Sequence, residues 1–295
     1  MRIFFISILN YRKIKGMSDI SPRAGRWGQE RRLEFIDFRL LWEGRLNRSD
    51  LTKFFKISIP QASLDLSRYQ EIAPQNMVYD RTQKTYVATE NFEPVLNRPD
   101  STQYLNELLW RNSGTVAHSD SFVGWFPQVD TLPFPTRNAD INVMLALLRA
   151  IQQQAVIVIG YQSMEHPLPE DRQIFPRAFA FDGFRWHLRA FCLKSEKHKD
   201  FVLGRIYSAG EVLAPISDIP EDNDWNTFVT LVIGPNPGYS KPRRQAIERD
   251  YKMVNGQAVI KTRRALLFYL KKRLNLGMPG QEAADNQQIV LLREE

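Results

Sequence analysis

Apolar residues fall at helical spacing through the first third of the chain. Across residues 29–42, Leu33, Ile36 and Leu40 recur on one face, joined by Phe35, Phe38 and Trp42, and predict an amphipathic helix that Gly44 ends. Residues 49–55 predict a short second helix turning Leu51, Phe54 and Phe55 to a core. Ser58-Ile59-Pro60-Gln61 is a capping box, in which the serine oxygen accepts from the backbone three positions on and the glutamine reaches back. Proline early in the first turn reinforces that helix start. Ile59, Ala62, Leu66 and Tyr69 then share a face assigned to the core, leaving Pro60, Gln61, Ser63, Ser67 and Arg68 away from it. Residues 77–89 read as two strands around a polar turn.

Farther on the period changes. Residues 102–110 and 141–151 predict helices, the second with Val143, Leu147 and Ile151 on one side, and Pro127, Pro133 and Pro135 mark a loop between them. Residues 155–159 are a continuous apolar run, read as a buried strand, and residues 172–180 give the next. Asp182-Gly183 signals a hairpin turn. Trp186, Leu188 and Ala190 alternate with Arg185, His187 and Arg189, which predicts a half-buried strand with Trp186 and Leu188 in the core. After a polar turn at residues 195–199 the strand pattern resumes at residues 201–203, so Arg189 and Arg205 are expected on neighbouring strands of one sheet. Residues 225–233 and 258–262 predict strands, residues 240–251 and 265–274 helices, and the chain from Pro279 reads as frayed.

Three helices, the last two joined by a tight turn, followed by a hairpin, describe a winged helix-turn-helix. In such a module the first turn of the third helix presents Gln61 and Ser63 to base edges, where glutamine can pair bidentately with adenine, and Ser58, Pro60 and Ser67 are counted with them as DNA-binding residues. Lys53, Lys56 and Arg68 are placed to meet phosphates, and Arg81 or Lys84 at the wing tip the adjacent minor groove. A protein-docking or linker role for the same three helices stays open, because residues 26–96 carry eleven basic against ten acidic groups.

Charge sharpens the picture without deciding it. The net charge of +7 is concentrated at the two ends: residues 1–25 hold five Lys/Arg against one acid, and residues 241–273 hold eleven against two. An anionic partner, nucleic acid first, fits this distribution, and so does a basic surface that merely keeps the protein soluble. Cys192 is the one cysteine of the 295 residues, which excludes an intrachain disulfide and, beside four scattered histidines, a zinc cluster; it reads as a small buried hydrophobe. There is no phosphate-binding loop ending in Gly-Lys-Ser/Thr, no His-Glu-x-x-His and no nucleophile with an evident base, so the chain is not read as an enzyme. The apolar run at residues 3–9 is too short to span a bilayer, and a cytoplasmic protein with no membrane partner is expected. Met17 is an alternative start.

The segment around Trp186-His187-Leu188, with Tyr161 ending an earlier strand, Pro176-Arg177 before the hairpin, and Arg189 and Arg205, resembles the WYL domain, with histidine at the middle letter. The resemblance implies a small Sm-like or SH3-like β-barrel whose polar pocket takes a nucleotide-like or nucleic-acid ligand. It nominates Tyr161, Ser163, Arg177, His187, Arg189 and Arg205 as ligand-binding residues. Converging guanidiniums suit phosphate because each offers a planar fork of donors. The opposing reading pairs the arginines with Asp182, Glu196 or Asp200 on the domain surface.

The whole chain resembles the regulators found beside bacterial anti-phage systems such as BREX, and the Gln61-Ala62-Ser63 run belongs to that likeness. The expected fold is α+β: an arm (1–25), a winged helix-turn-helix (26–96), a helical linker (97–136), the WYL domain (137–215) and a C-terminal α/β dimerisation extension (216–295). The expected function is a homodimeric, sequence-specific transcriptional regulator, a repressor of a phage-defence operon on an inverted-repeat operator in double-stranded DNA. No cofactor or metal is expected beyond a nucleotide or oligonucleotide effector. The basic residues Arg243, Arg244, Arg263, Arg264 and 271–273 suit DNA flanks, a ligand in the partner's pocket, or plain solvent. The alternative is an accessory protein that binds single-stranded DNA or RNA through the WYL domain without reading an operator.

Overall fold

The structure is a computed structural model and describes residues 23–113, 121–133, 135, 137, 139–215, 218–277 and 286–295. These residues fall into two compact units that divide near residue 134. Residues 1–22 of the arm lie outside the described residues, and its last three belong to the first helix.

In the first unit, α1 (Arg23–Glu43) ends at Gly44, whose φ of 69° lets the chain reverse at once into β1 (Arg45–Leu46). This two-residue strand has too little periodicity to be read from sequence. It pairs with β3 (Thr85–Ala88), which also pairs with β2 (Met77–Asp80), so the sheet order is β1-β3-β2. Between them run α2 (Arg48–Phe55) and α3 (Ile59–Ile72). Leu33, Ile36, Leu40, Leu51, Ala62, Leu66, Tyr69 and Met77 meet in one core. Ile59 does not join it: as the first helical residue it projects outward and is 62% exposed. After β3 the chain passes through residues 89–100 into α4 (Ser101–Asn112), capped by Asp100.

The capping box of α3 is half formed. Ser58 Oγ accepts from Gln61 N at 3.3 Å as expected, but the Gln61 side chain donates forward to Asp65 Oδ1 at 3.1 Å. Asp65 is buried and charged, which makes it a strong acceptor for the glutamine amide, and it is held in turn by Arg32 Nε at 2.6 Å.

The second unit begins with α5 (Ile141–Gln153), whose N-terminus Asp140 caps by accepting from Asn142 N and Val143 N. Val143, Leu147 and Ala150 pack it on a five-stranded antiparallel sheet. The strands are β4 (Ala155–Tyr161), β5 (Glu170–Phe181), β6 (Trp186–Cys192), β7 (Lys197–Val202) and β8 (Ile206–Pro215), in the order β7-β6-β5-β4-β8. Among the described residues β7 and β8 do not pair, so the sheet is open where the resemblance implied a closed barrel.

A short helix α6 (Asn223–Asn226) leads to β9 (Phe228–Pro235), and Trp225 is therefore helical, not the start of the strand. Then come α7 (Lys241–Asp250), β10 (Ala258–Arg263), α8 (Leu267–Arg273) and β11 (Ile289–Glu294). β9 is the centre of this sheet, between β10 and β11. Of the C-terminal segment expected to fray, residues 279–285 lie outside the described residues, and residues 289–294 supply a strand anchored by the buried Ile289 and Leu291.

Candidate DNA-reading helix and effector pocket

On α3 the buried residues Ala62, Asp65, Leu66 and Tyr69 leave Pro60, Leu64 and Ser67 exposed. Two expected base readers are engaged within the helix: Gln61 with Asp65, and Ser63, whose hydroxyl donates to Ile59 O at 3.0 Å. Arg68 makes a 2.7 Å ion pair with Glu71. Lys53 and Lys56 at the end of α2, and Arg81 and Lys84 in the wing turn, are exposed and form no ion pair among the described residues. The wing turn is organised by Asp80, whose Oδ1 accepts from Thr82 N and Gln83 N.

The helix is held at its back by a buried carboxylate. Asp37 accepts from the Tyr69 hydroxyl and from the amides of Val95, Leu96 and Asn97. Asn76 donates to the Tyr69 oxygen at 3.0 Å. Burial first, and the Asp37 charge after it, push the Tyr69 phenol well above its ordinary pKa, so it stays a neutral donor.

In the second unit a cavity of about 450 Å³ opens between the sheet and α8. The sheet side brings Tyr161, Asp182, Arg185, His187, Asp200 and Arg205; α8 brings Phe268, Tyr269, Lys272 and Arg273. Of the six residues nominated from sequence, Tyr161, His187 and Arg205 line it. Ser163 and Arg177 do not: Ser163 Oγ accepts from Glu165 N, and Arg177 donates to Pro220 O. Arg205 lies in a 3-10 turn between β7 and β8 rather than on a strand beside Arg189.

Arg189 is buried and taken. It donates through Nε and Nη2 to Asp222 at 2.7 and 2.9 Å, and through Nη1 to Asp200 at 3.1 Å. Burial opposes its charge, but the hydrogen bonds to Asp222 and the Asp200 carboxylate outweigh that and hold the guanidinium above its ordinary pKa. The surface-pairing reading of the arginines thus applies to Arg189 in buried form. Its principal partner Asp222 is 33 residues away and carries no local signal.

The floor is knitted by the same kind of bond. Tyr269 donates to Asp200 Oδ2 at 3.0 Å, and its ring lies 4.7 Å from that of His187. Burial and the Asp200 charge raise the Tyr269 phenol pKa. His187 Nε2 is 2.9 Å from Asp182 Oδ2. Burial opposes the Asp182 charge, but His187 and the amides of Arg185 and Phe184 hold that carboxyl below its ordinary range. His187 and Arg189 are therefore interior, while Trp186, expected in the core, is 52% exposed and lies against Phe181 at the strand end. The alternation misleads because α8 and the segment before α6 cover the strand's polar face.

The cations left to meet a ligand are Arg205, Lys272 and Arg273, none ion-paired among the described residues. Phe268, Tyr269, Lys272 and Arg273 were not assigned to this pocket from sequence. The one signal was the basic run at the end of an amphipathic helix; Lys271 of that run pairs instead with Glu294. Three cations and two aromatic rings lining one cavity suit an anion with a flat ring.

Three family profiles match. The BrxR transcriptional regulator winged helix-turn-helix domain covers residues 28–109, the WYL domain residues 142–210, and the BrxR C-terminal dimerization domain residues 228–295. The DNA-binding transcriptional repressor CapW of Stenotrophomonas maltophilia is 43% identical over 85% of this chain and 84% of its own length. The CapW repressors of Escherichia coli (strain KTE188) and Pseudomonas aeruginosa are 42% and 40% identical, covering 90% and 91% of this chain and 90% and 89% of their own. The solved proteasome accessory factor B/C (PafBC) of Arthrobacter aurescens covers 83% of this chain and 43% of its own at 18% identity, with a TM-score of 0.28, too low to bear on the fold. On the likeness to the CapW proteins over 85–91% of its length, this chain belongs to the BrxR/CapW family of WYL-domain DNA-binding transcriptional repressors, which are not enzymes.

Proposed function

We propose that the protein is a homodimeric, sequence-specific repressor of a phage-defence operon, acting in the cytoplasm on an inverted-repeat operator. The observation that carries this is the 40–43% identity to DNA-binding repressors over most of the chain, in register with a winged helix-turn-helix and a dimerization domain. Dimerization sets two α3 helices about one or more helical turns apart, which matches a two-fold operator. Lys53, Lys56, Arg81 and Lys84 meet phosphates, and α3 meets base edges. Among the described residues no helix is long and apolar enough to cross a membrane.

In the same reading the 450 Å³ cavity binds a nucleotide or nucleic-acid-like effector through Arg205, Lys272 and Arg273, with Phe268 and Tyr269 against its ring. Because α8 belongs to the region that carries the dimerization profile, a ligand held by both walls favours one arrangement of the dimer over another. Only a difference in affinity between the two arrangements can shift DNA binding.

A polarisation titration against the DNA upstream of the protein's own gene, at fixed salt with random duplex as competitor, tests the first part. Competitor-resistant binding by two protomers per site is expected. Binding that random duplex removes equally would replace the repressor reading with that of a non-specific nucleic-acid sensor.

A further inference from the structure

We infer that Leu64 reads a thymine methyl group in the major groove and is a specificity-determining residue of this protein. An exposed leucine alone means little; its place on α3 gives it meaning. At about 100° per residue, Leu64 sits roughly opposite the buried Ala62 and Leu66, at the apex of the outward face. Leu64 is 59% exposed, and Pro60 and Ser67 one turn to either side are exposed as well. These neighbours are short, so Leu64 is the largest apolar side chain of this face at mid-helix, and the longer Arg68 one turn on is turned to Glu71.

The polar side chains around it are already committed: Gln61 to Asp65, Ser63 to Ile59 O and Arg68 to Glu71. That leaves the centre of the face apolar. In the major groove the C5-methyl of thymine is the apolar feature of the base-pair edges, and cytosine and uracil lack it. A leucine packed on that methyl gains contact with A·T pairs alone. The inference rests on α3 being the DNA-reading helix, and goes beyond it by naming the residue and the base.

The experiment uses the full chain and duplexes that it enriches from a random library. The enriched duplex is copied with dTTP or with dUTP, which removes every thymine methyl and keeps the pairing. Wild type is expected to bind the uracil duplex about tenfold more weakly across two half-sites, on the scale of burying one methyl group in each. Leu64→Ala should bind both duplexes with the same, reduced affinity, and Leu64→Met, which keeps an apolar reach, should restore the discrimination. Equal uracil penalties in wild type and Leu64→Ala, or none in wild type, would overturn the inference. Failure to enrich any duplex would instead overturn the DNA-reading role on which it stands.

Discussion

Arg189 grips Asp222 with two parallel hydrogen bonds, 2.7 and 2.9 Å long, and neither side chain reaches solvent to any useful extent. The pair ties β6 to the turn that starts α6, because Asp222 also accepts from Trp225 N at 3.1 Å. The arginine that the family resemblance places in the ligand pocket is thereby a strut between the WYL sheet and α6. Arg205, Lys272 and Arg273 line the pocket without ion pairs among the described residues, while Arg189 is satisfied by two carboxylates.

Arg189→Ala is expected to cost about 3–5 kcal/mol of stability, because Asp222 and Asp200 are left buried without their cation. Denaturant unfolding measures it. Asp222→Ala in the same background should cost much less than it does alone, since the uncompensated charge is gone. A loss under ~1 kcal/mol for Arg189→Ala would mean that the pair is solvated and that Arg189 is available to a ligand.

In the proposed reading the charge of a ligand falls to cations without internal partners. Lys272→Ala and Arg273→Ala should leave the unfolding midpoint within experimental error, since both side chains are exposed. Each should weaken binding of a labelled single-stranded oligonucleotide and reduce the slope of log affinity against log salt by roughly 0.7 for each phosphate that is no longer neutralised. Unchanged slopes in both variants would remove α8 from the binding wall.

Acid should loosen the second unit in a defined direction. Burial opposes the charge of Asp222, but Arg189 and the Trp225 amide hold its pKa below the ordinary range, as His187 does for Asp182. A carboxylate depressed in the folded state contributes stability above its unfolded pKa, about 3.9. That contribution is lost as pH falls through the lower folded value, because the unfolded chain takes up the protons first. Unfolding free energy should therefore be flat in these groups near neutrality and fall below about pH 4. Asp222→Asn should be less stable at pH 7 yet lose less on acidification.

What sequence made legible was local. Ser58 could be read as a cap because its partner is three residues away, and Gly44 as a stop because the needed φ is its own. The core faces of α3 and α5 followed from period alone. Ile59 failed because the first residue of a helix has no preceding turn to pack it. His187 and Arg189 looked exposed because the residues that bury them, Tyr269 and Asp222, come from 82 and 33 positions later in the chain. Ser163 and Arg177 fitted a pattern of residue types, but Ser163 lies in the loop after β4, and Arg177 sits within β5 where the pairing with β6 shifts register between Pro176 and Ala178. β11 went unread because its pairing with β9 is far more distant than any window of hydrophobic alternation.

The carboxylate of Asp37 offers the sharpest test of how α3 is positioned. It is buried and serves Tyr69 on α3 and three consecutive amides of residues 95–97 at once, so α1, α3 and the chain after the wing converge on one group. Tyr69→Phe removes one donor and leaves Asp37 its amides. The expected loss is ~1–3 kcal/mol, the range for one buried hydrogen bond to a charged partner. Asp37→Ala strips the Tyr69 hydroxyl and all three amides of their acceptor, so its cost should be clearly larger. If α3 reads DNA from this seat, Tyr69→Phe should also weaken specific binding more than binding to random duplex, although its side chain is fully buried and faces away from the outward residues. Chemical denaturation gives the first quantity and competition titration the second. Equal stability of the two variants would show that solvent satisfies the amides and that Asp37 does not seat the helix.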